Sequence, residues 1–228
     1  FPTRRSSDLA ADFVIVMARV GAGKRHEGIT AFIVEKGTPG FEILREIPML
    51  GGHRTYELVF EDCRIPEENV LGEIGAGFAP MQLRLVVRRL QIGTWCIGMC
   101  RRALDMMVSH AKQRTTFGAL LSDRQAIQWW IADAAMKMHA CRLMVQDAAR
   151  KQDQGIDVRT EASMIKVYAT EMAAEILDHA MQTFGAMGVT KELPLQLMAQ
   201  RVRVMRVYEG PAEVHRMSLA KKIIKEAR

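Results

Sequence analysis

The sequence predicts a mostly α chain in which a four-helix bundle follows a partial β domain. Three observations carry this. Before Val70 the chain is built of short runs rich in β-branched and aromatic residues, cut by Gly-rich loops. From Phe78 onward, apolar residues recur at the helical period over long windows. Between them lies "IPEENVLGEIGAG", with turn signals at Pro66, Gly72, Gly75 and Gly77.

The first strands are "DFVIVMARV" (Asp12–Val20) and "ITAFIVE" (Ile29–Glu35), separated by the basic loop "GAGKRHEG". "TPGFEI" and "YELVFEDCRI" continue the β pattern. With no clear partner face, these runs are expected to form an incomplete sheet. Helix one is expected from Phe78 to Lys112, with Ile92, Cys96, Met99, Ala103 and Met106 on one stripe. Helix two is expected to begin at Ser122, where Gln125 three residues on completes a capping box. Its stripe is Ile127, Trp130, Ala134, Met138, Cys141 and Val145. Helix three starts near Thr160, carries Ile165, Tyr168, Met172 and Ile176, and stops in "FGAMG". Pro194 opens helix four, which runs to Tyr208, and Pro211 opens a last helix, Ala212 to Ala227. Short connections between long amphipathic helices argue for a bundle.

The opening "FPTRRSSDL" stands apart. It equals one reading frame of a common sequencing adapter, so residues 1–9 are excluded as an assembly artefact and expected to make little structure. The division that follows is 10–73 for the partial β domain and 74–228 for the helical domain. The chain then reads as a fragment, expected by itself to expose an unfinished sheet edge and to aggregate.

With 49% hydrophobic and 25% charged residues, the composition is that of an ordinary globular protein. No apolar run approaches the roughly 18 residues of a membrane span. The net charge of +6, or +5 without Arg4, Arg5 and Asp8, is mild and dispersed, which does not indicate a nucleic-acid surface. Cys63, Cys96, Cys100 and Cys141 form no C-x-x-C pair, and no histidine completes a metal site. They read as buried thiols of a reducing compartment.

Three stretches carry chemistry. In "QRTTFG" (Gln113–Gly118), an Arg, two hydroxyls and a Phe in a tight turn suit a phosphate and an aromatic ring; equally, Gly118 could cap helix one. "QTFGAMG" (Gln182–Gly188) allows close backbone approach, or simply terminates a helix. In "VYEGPAEVH" (Val207–His215), Glu209 at a helix C-terminus opposes the macrodipole and follows two apolar residues. Such a carboxylate suits a general base for a weakly acidic C–H, though a solvated helix-end Glu has the same sequence.

Their combination is specific. "ITAFIVEKGTPGFEI", "ELVFEDCRIPEENVLGEIGAGF", "AKQRTTFG", "DRQAIQ", "QTFGAMGV" and "RVYEGPAEVHR", in this order and spacing, resemble the acyl-CoA dehydrogenases from Ala11 to the end. The resemblance implies a C-terminal four-helix bundle of the acyl-CoA dehydrogenase type and an FAD cofactor. It also implies an acyl-CoA substrate desaturated between Cα and Cβ, with electrons passing to an electron-transfer flavoprotein. A homotetramer or homodimer, located in the cytoplasm with no membrane span, is expected. The fragment itself is expected to be inactive and not to retain FAD.

The resemblance assigns residues one by one. Arg114 would bind FAD pyrophosphate of a neighbouring subunit, with Thr116 and Phe117 alongside and Gln125 also touching that flavin. Gln182, Phe184, Gly185 and Ala186 would meet the ADP part, Ala186 standing where the family pattern has Gly. Glu209 would be the catalytic base, taking the α-proton while the β-hydrogen leaves as hydride to the flavin. Its backbone N–H would polarise the thioester carbonyl, and Gly210, with Tyr208 before it, would let that carbonyl approach. Pro211 replaces the Thr of many members, removing one adenine-side contact. Relatives that place the base on the first bundle helix offer no alternative, because Phe78 to Ala103 contains no Asp or Glu. Arg89 resembles a helix-one Arg near the CoA moiety, with Val86 in place of the family's Asp one turn earlier. Two competing readings stay open: an acyl-CoA oxidase, separated by peroxide formation, and a catalytically idle nucleic-acid-binding relative, separated by a salt-dependent DNA titration.

Overall fold

The computed structural model describes residues 11–24 and 26–227, together with the backbone of residues 3–5. It divides into two compact units, Phe1–Leu85 and Val86–Arg228.

In the first unit the strands are β1 (Thr3–Arg5), β2 (Phe13–Arg19), β3 (Ile29–Glu35), β4 (Phe41–Pro48), β5 (Arg54–Phe60) and β6 (Val70–Leu71). They form two three-stranded antiparallel sheets, ordered β1-β5-β4 and β2-β3-β6. The expectation of strands without a partner face is therefore corrected. Val34 of β3, Phe41 of β4, and Tyr56 and Leu58 of β5 make one buried cluster, flanked by Val14, Val16, Phe32 and Ile43. Alternation along each strand turns these side chains to the same interior.

Two further expectations change here. Thr3–Arg5 is paired, in register Thr3↔Leu58 to Arg5↔Tyr56, although little structure is expected of residues 1–9. The edge of β5 offers free N–H and C=O groups, and any extended segment satisfies them. The other residues of 1–9 lie outside the described residues. The stretch read as a linker is also tied down. It contains a 3-10 turn (Glu67–Asn69) and β6, which pairs with β3. Asn69 Nδ2 donates to the Ile33 carbonyl at 3.2 Å, and Gly75 N–H donates to Thr30 Oγ1 at 2.8 Å.

The helices are α1 (Phe78–Ala111), α2 (Gln125–Asp153), α3 (Arg159–Phe184), α4 (Leu195–Met205) and α5 (Ala212–Glu226). In the second unit, one core draws on four of them: Ile92, Cys96, Cys100, Ala103 and Met107 of α1; Ala134, Met138 and Cys141 of α2; Ala169, Met172, Ala173 and Ile176 of α3; Leu195, Met198 and Val202 of α4. Gly93 of α1 leaves room for Ile165 of α3, since a Cβ there would lie 2.6 Å from Ile165 Cγ2, and methionines fill irregular space in the core. Met99, Met106 and Tyr168 border this core rather than fill it. Trp130 stacks on His179 at 4.5 Å, and Lys137 bonds Glu175 at 2.6 Å, fastening α2 to α3. Burial pushes the Cys100 and Cys141 thiols up, to about 12 and about 11, as expected of inert core cysteines.

Candidate functional site

Helix α4 stops at Met205, one turn before Glu209, which corrects the reading that the helix runs to Tyr208. Residues 206–209 form a turn instead, with Val207 and Tyr208 N–H both donating to the Val204 carbonyl. Glu209 then takes φ +55° and Gly210 φ +98°. A left-handed glutamate is uncommon and strained, on the order of 1–3 kcal/mol, and persists only where its surroundings hold it. A Cβ on Gly210 would lie 2.9 Å from His215 Nε2, so glycine is required there on both conformational and steric grounds.

Four contacts hold this turn. Arg89 Nε of α1 donates to the Glu209 carbonyl at 3.2 Å. His215 Nε2 of α5 meets the same oxygen at 3.1 Å, with the ring N–H donating in the neutral tautomer that satisfies it. Lys166 of α3, fully buried, donates from Nζ to the Arg206 carbonyl at 2.9 Å and to the Gly210 carbonyl at 2.5 Å. The backbone on both sides of Glu209 is thus gripped by cationic or N–H donors from three helices. Burial lowers the Lys166 ammonium to about 8, with the Arg89 charge adding to it. The His215 imidazole is lowered for the same two reasons, which favours its neutral form.

The Glu209 carboxylate is 18% exposed, with Oε1 3.8 Å from Arg88 Nε. Arg88 lies over the Trp95 ring, its guanidinium carbon 4.4 Å from the centroid. Tyr208 is half-buried, and burial pushes its hydroxyl up to about 12, so it stays a neutral hydrogen-bonding group. This arrangement can accept a proton in a sheltered place. Its basic atoms are on a side chain, while the main chain that carries them is immobilised.

A second cluster surrounds Arg114. Two short strands, β7 (Thr115–Thr116) and β8 (Ala119–Leu120), make a hairpin whose two central residues, Phe117 and Gly118, both have φ > 0. That is the requirement of a type I′ turn. It corrects the alternative in which Gly118 caps helix one, since α1 ends at Ala111. Phe117 is 99% exposed and Arg114 is exposed. Arg124 secures the hairpin by donating to the Thr116 carbonyl at 2.6 Å and the Phe117 carbonyl at 3.3 Å. The Ser122–Gln125 capping box is not formed: Ser122 lies in a 3-10 turn, and the N-cap of α2 is Arg124, without a side-chain bond. Gln125 is exposed at the first turn of α2.

At the end of α3, Gln182, Gly185 and Ala186 are exposed, and Phe184 stacks on His110 at 4.2 Å. Gly185 has φ +59° and starts a 3-10 turn through Val189. The tighter glycine is Gly188, the last residue of the stretch read as allowing close backbone approach. A Cβ there would fall 2.1 Å from the Met181 carbonyl oxygen.

The structure brings Arg89, Tyr208, Glu209 and Gly210 together, and keeps Arg114, Thr116, Phe117 and Gln125 together at the hairpin and the start of α2. Sequence reasoning missed Lys166, His215 and Arg88. Lys166 had a signal. It falls at the helical spacing of Ala162, Ala169 and Ala173, a lysine in line with buried alanines. Among the described residues, no group of His, Cys, Asp and Glu is arranged to hold a metal, and no helix is long and apolar enough to cross a membrane.

A family model described as acyl-CoA dehydrogenase, C-terminal domain, matches residues 75–224. The chain is 43% identical over 200 residues to (R)-benzylsuccinyl-CoA dehydrogenase of Thauera aromatica, across 87% of this chain and 49% of that protein. It is 36% identical over 220 residues to the mitochondrial short-chain specific acyl-CoA dehydrogenase of Bos taurus, across 96% of this chain and 53% of that one. The structure superimposes on butyryl-CoA dehydrogenase from Megasphaera elsdenii with a TM-score of 0.87 at 35% identity, covering 94% of this chain and 57% of that one. The chain spans about half the length of the curated relatives it matches.

Proposed function

The chain belongs to the acyl-CoA dehydrogenase family, and from that premise we propose that the whole protein removes the α and β hydrogens of an acyl-CoA thioester, with Glu209 as the base. One observation carries the choice of Glu209. Its carboxylate is sheltered on a strained turn whose carbonyl is held by Arg89 and His215 and whose flanks are held by Lys166. Strain maintained by so many groups is a feature of functional positions.

The residues near the hairpin suit FAD. Arg114, the bare ring of Phe117 and the amide of Gln125 lie by the positive end of α2, a donor set fitted to a pyrophosphate and a flat aromatic group. Thr116 stands beside them in β7, and Gln182, Phe184, Gly185 and Ala186 would meet the adenosine part. When bound, FAD supplies the acceptor for the hydride equivalent leaving Cβ. The chain's own residues do the rest. Tyr208 and Gly210 border the thioester, the Glu209 amide N–H donates to its carbonyl, and the Glu209 carboxylate takes the α-proton. Filling the site excludes water and strengthens each of these interactions. An electron-transfer flavoprotein as electron acceptor, a homotetramer or homodimer, and a cytoplasmic location complete the proposal.

The test is Glu209→Gln in the full-length protein. Gln keeps the shape but cannot take the proton. Flavin should stay bound, and anaerobic bleaching on adding butyryl-CoA should fall by at least about a thousandfold. Bleaching at the parent's rate would place the base elsewhere.

A further inference from the structure

The side chain closest to the Glu209 carboxylate in charge is a cation that the reaction does not call for. Arg88 Nε lies 3.8 Å from Glu209 Oε1, beyond hydrogen-bond length, so the contact is an ion pair without the two parallel bonds a guanidinium can make. The guanidinium plane is fixed from two other sides. Its carbon sits 4.4 Å from the Trp95 ring centroid, one α1 face two turns along, and Nη1 donates to Gln91 Oε1 at 3.3 Å. Arg88 is 35% exposed. A stiffened donor fork is thus held at the mouth of the carboxylate's shelter.

At 3.8 Å the Glu209 carboxylate makes no hydrogen bond to the guanidinium, so its donor fork is open to a negative group carried by the substrate itself. A reacting α-carbon must come within roughly 3–3.5 Å of a Glu209 oxygen. Anything two or three bonds further along the acyl chain then lies within reach of Arg88. The phosphates of CoA are excluded, because they are a whole pantetheine arm away from the thioester.

We propose that Arg88 is a specificity-determining residue that binds a second carboxylate on the acyl chain, so that the preferred substrate class is the CoA monothioester of a dicarboxylic acid. The assignment rests on the proposal that Glu209 lies at the reacting carbon. The fork pairs with the substrate carboxylate in two parallel hydrogen bonds while Trp95 backs it. The substrate's charge thereby takes over the role of Glu209 as counter-ion to Arg88.

Two pairs of probes test this in the full-length FAD enzyme: glutaryl-CoA against pentanoyl-CoA, and succinyl-CoA against butyryl-CoA. Each pair differs by a carboxylate in place of an apolar end. The first readout is the ratio of kcat/KM within each pair. The second is the ratio of equilibrium Kd values by calorimetry on Glu209→Gln enzyme, which needs no turnover. The carboxylate member of at least one pair should be favoured by roughly ten- to a hundredfold, in kcat/KM of the parent and in Kd of the Glu209→Gln enzyme. Arg88→Met should bring both ratios to about one, and Arg88→Lys, which keeps the charge but not the fork, should retain only part of the preference. No preference in the parent, or a preference that survives Arg88→Met, overturns the assignment. If the binding ratio behaves as stated while no acyl-CoA bleaches the flavin, Arg88 stands and the reaction proposed for Glu209 falls.

Discussion

Replacing Lys166 by Met tests whether the Glu209 turn is held as described. Met matches the length of the lysine stem and suits the apolar surroundings. It removes two hydrogen bonds from a buried cation, to the Arg206 and Gly210 carbonyls. Each carbonyl left short of a donor costs about 1–3 kcal/mol. Arg206 O keeps the Ala212 N–H at 3.3 Å, so the larger loss falls at Gly210. Against this, the variant no longer desolvates an ammonium group. Burial lowers Lys166 from 10.5 to about 8, a penalty on the order of 3 kcal/mol for keeping it charged at neutral pH. The two effects nearly offset at pH 7, and there the variant should be destabilised by no more than about 3 kcal/mol. Their pH dependence separates them. Between about pH 8 and 10.5 the unfolded lysine holds a proton that the folded one has released, so this group's contribution to stability rises with pH. The deficit of Lys166→Met should therefore grow across that window by about 3 kcal/mol. Chemical unfolding followed by Trp95, Trp129 and Trp130, all in α1 and α2, reads the helical unit directly. A deficit that is flat, or that shrinks as pH rises, would refute the assignment of Lys166 as a buried ammonium.

Arg114→Ala should release flavin while leaving the Glu209 turn intact. Loss of a charge-assisted phosphate contact worth about 1.5–3 kcal/mol weakens FAD roughly 10- to 150-fold, measurable by flavin fluorescence on dilution. Gly188→Ala should destabilise the end of α3, because its Cβ would stand 2.1 Å from a backbone oxygen that cannot rotate away. About 1–3 kcal/mol is expected in the tryptophan-monitored unfolding, with no stabilisation from the removed glycine flexibility.

The helices were legible in sequence because their apolar period is long and uninterrupted, so α1 differs from its expected span by a single residue at Lys112. Errors gathered where local rules compete with tertiary ones. The Ser122–Gln125 box satisfies a helix-start pattern, but Arg124 is occupied with the hairpin carbonyls and moves the N-cap to itself. The strands lacked a visible partner face because the buried set, Val34, Phe41, Tyr56 and Leu58, is assembled from two sheets, and no single strand displays it. At the site, the residue proposed as the base was readable in sequence and the residues that hold its turn were not. Glu209 stands out as an acid after an apolar pair and before Gly-Pro. Its grip comes from Arg89, Lys166 and His215, up to 120 positions away in the chain, and from backbone carbonyls, which no side-chain pattern encodes. The same reasoning gives the lone buried lysine its meaning. A charge on an alanine stripe is costly unless it has acceptors, and a strained turn has carbonyls left over by the end of a helix. Each defect supplies what the other lacks, so Lys166 and the left-handed Glu209 form one unit whose parts make physical sense only together.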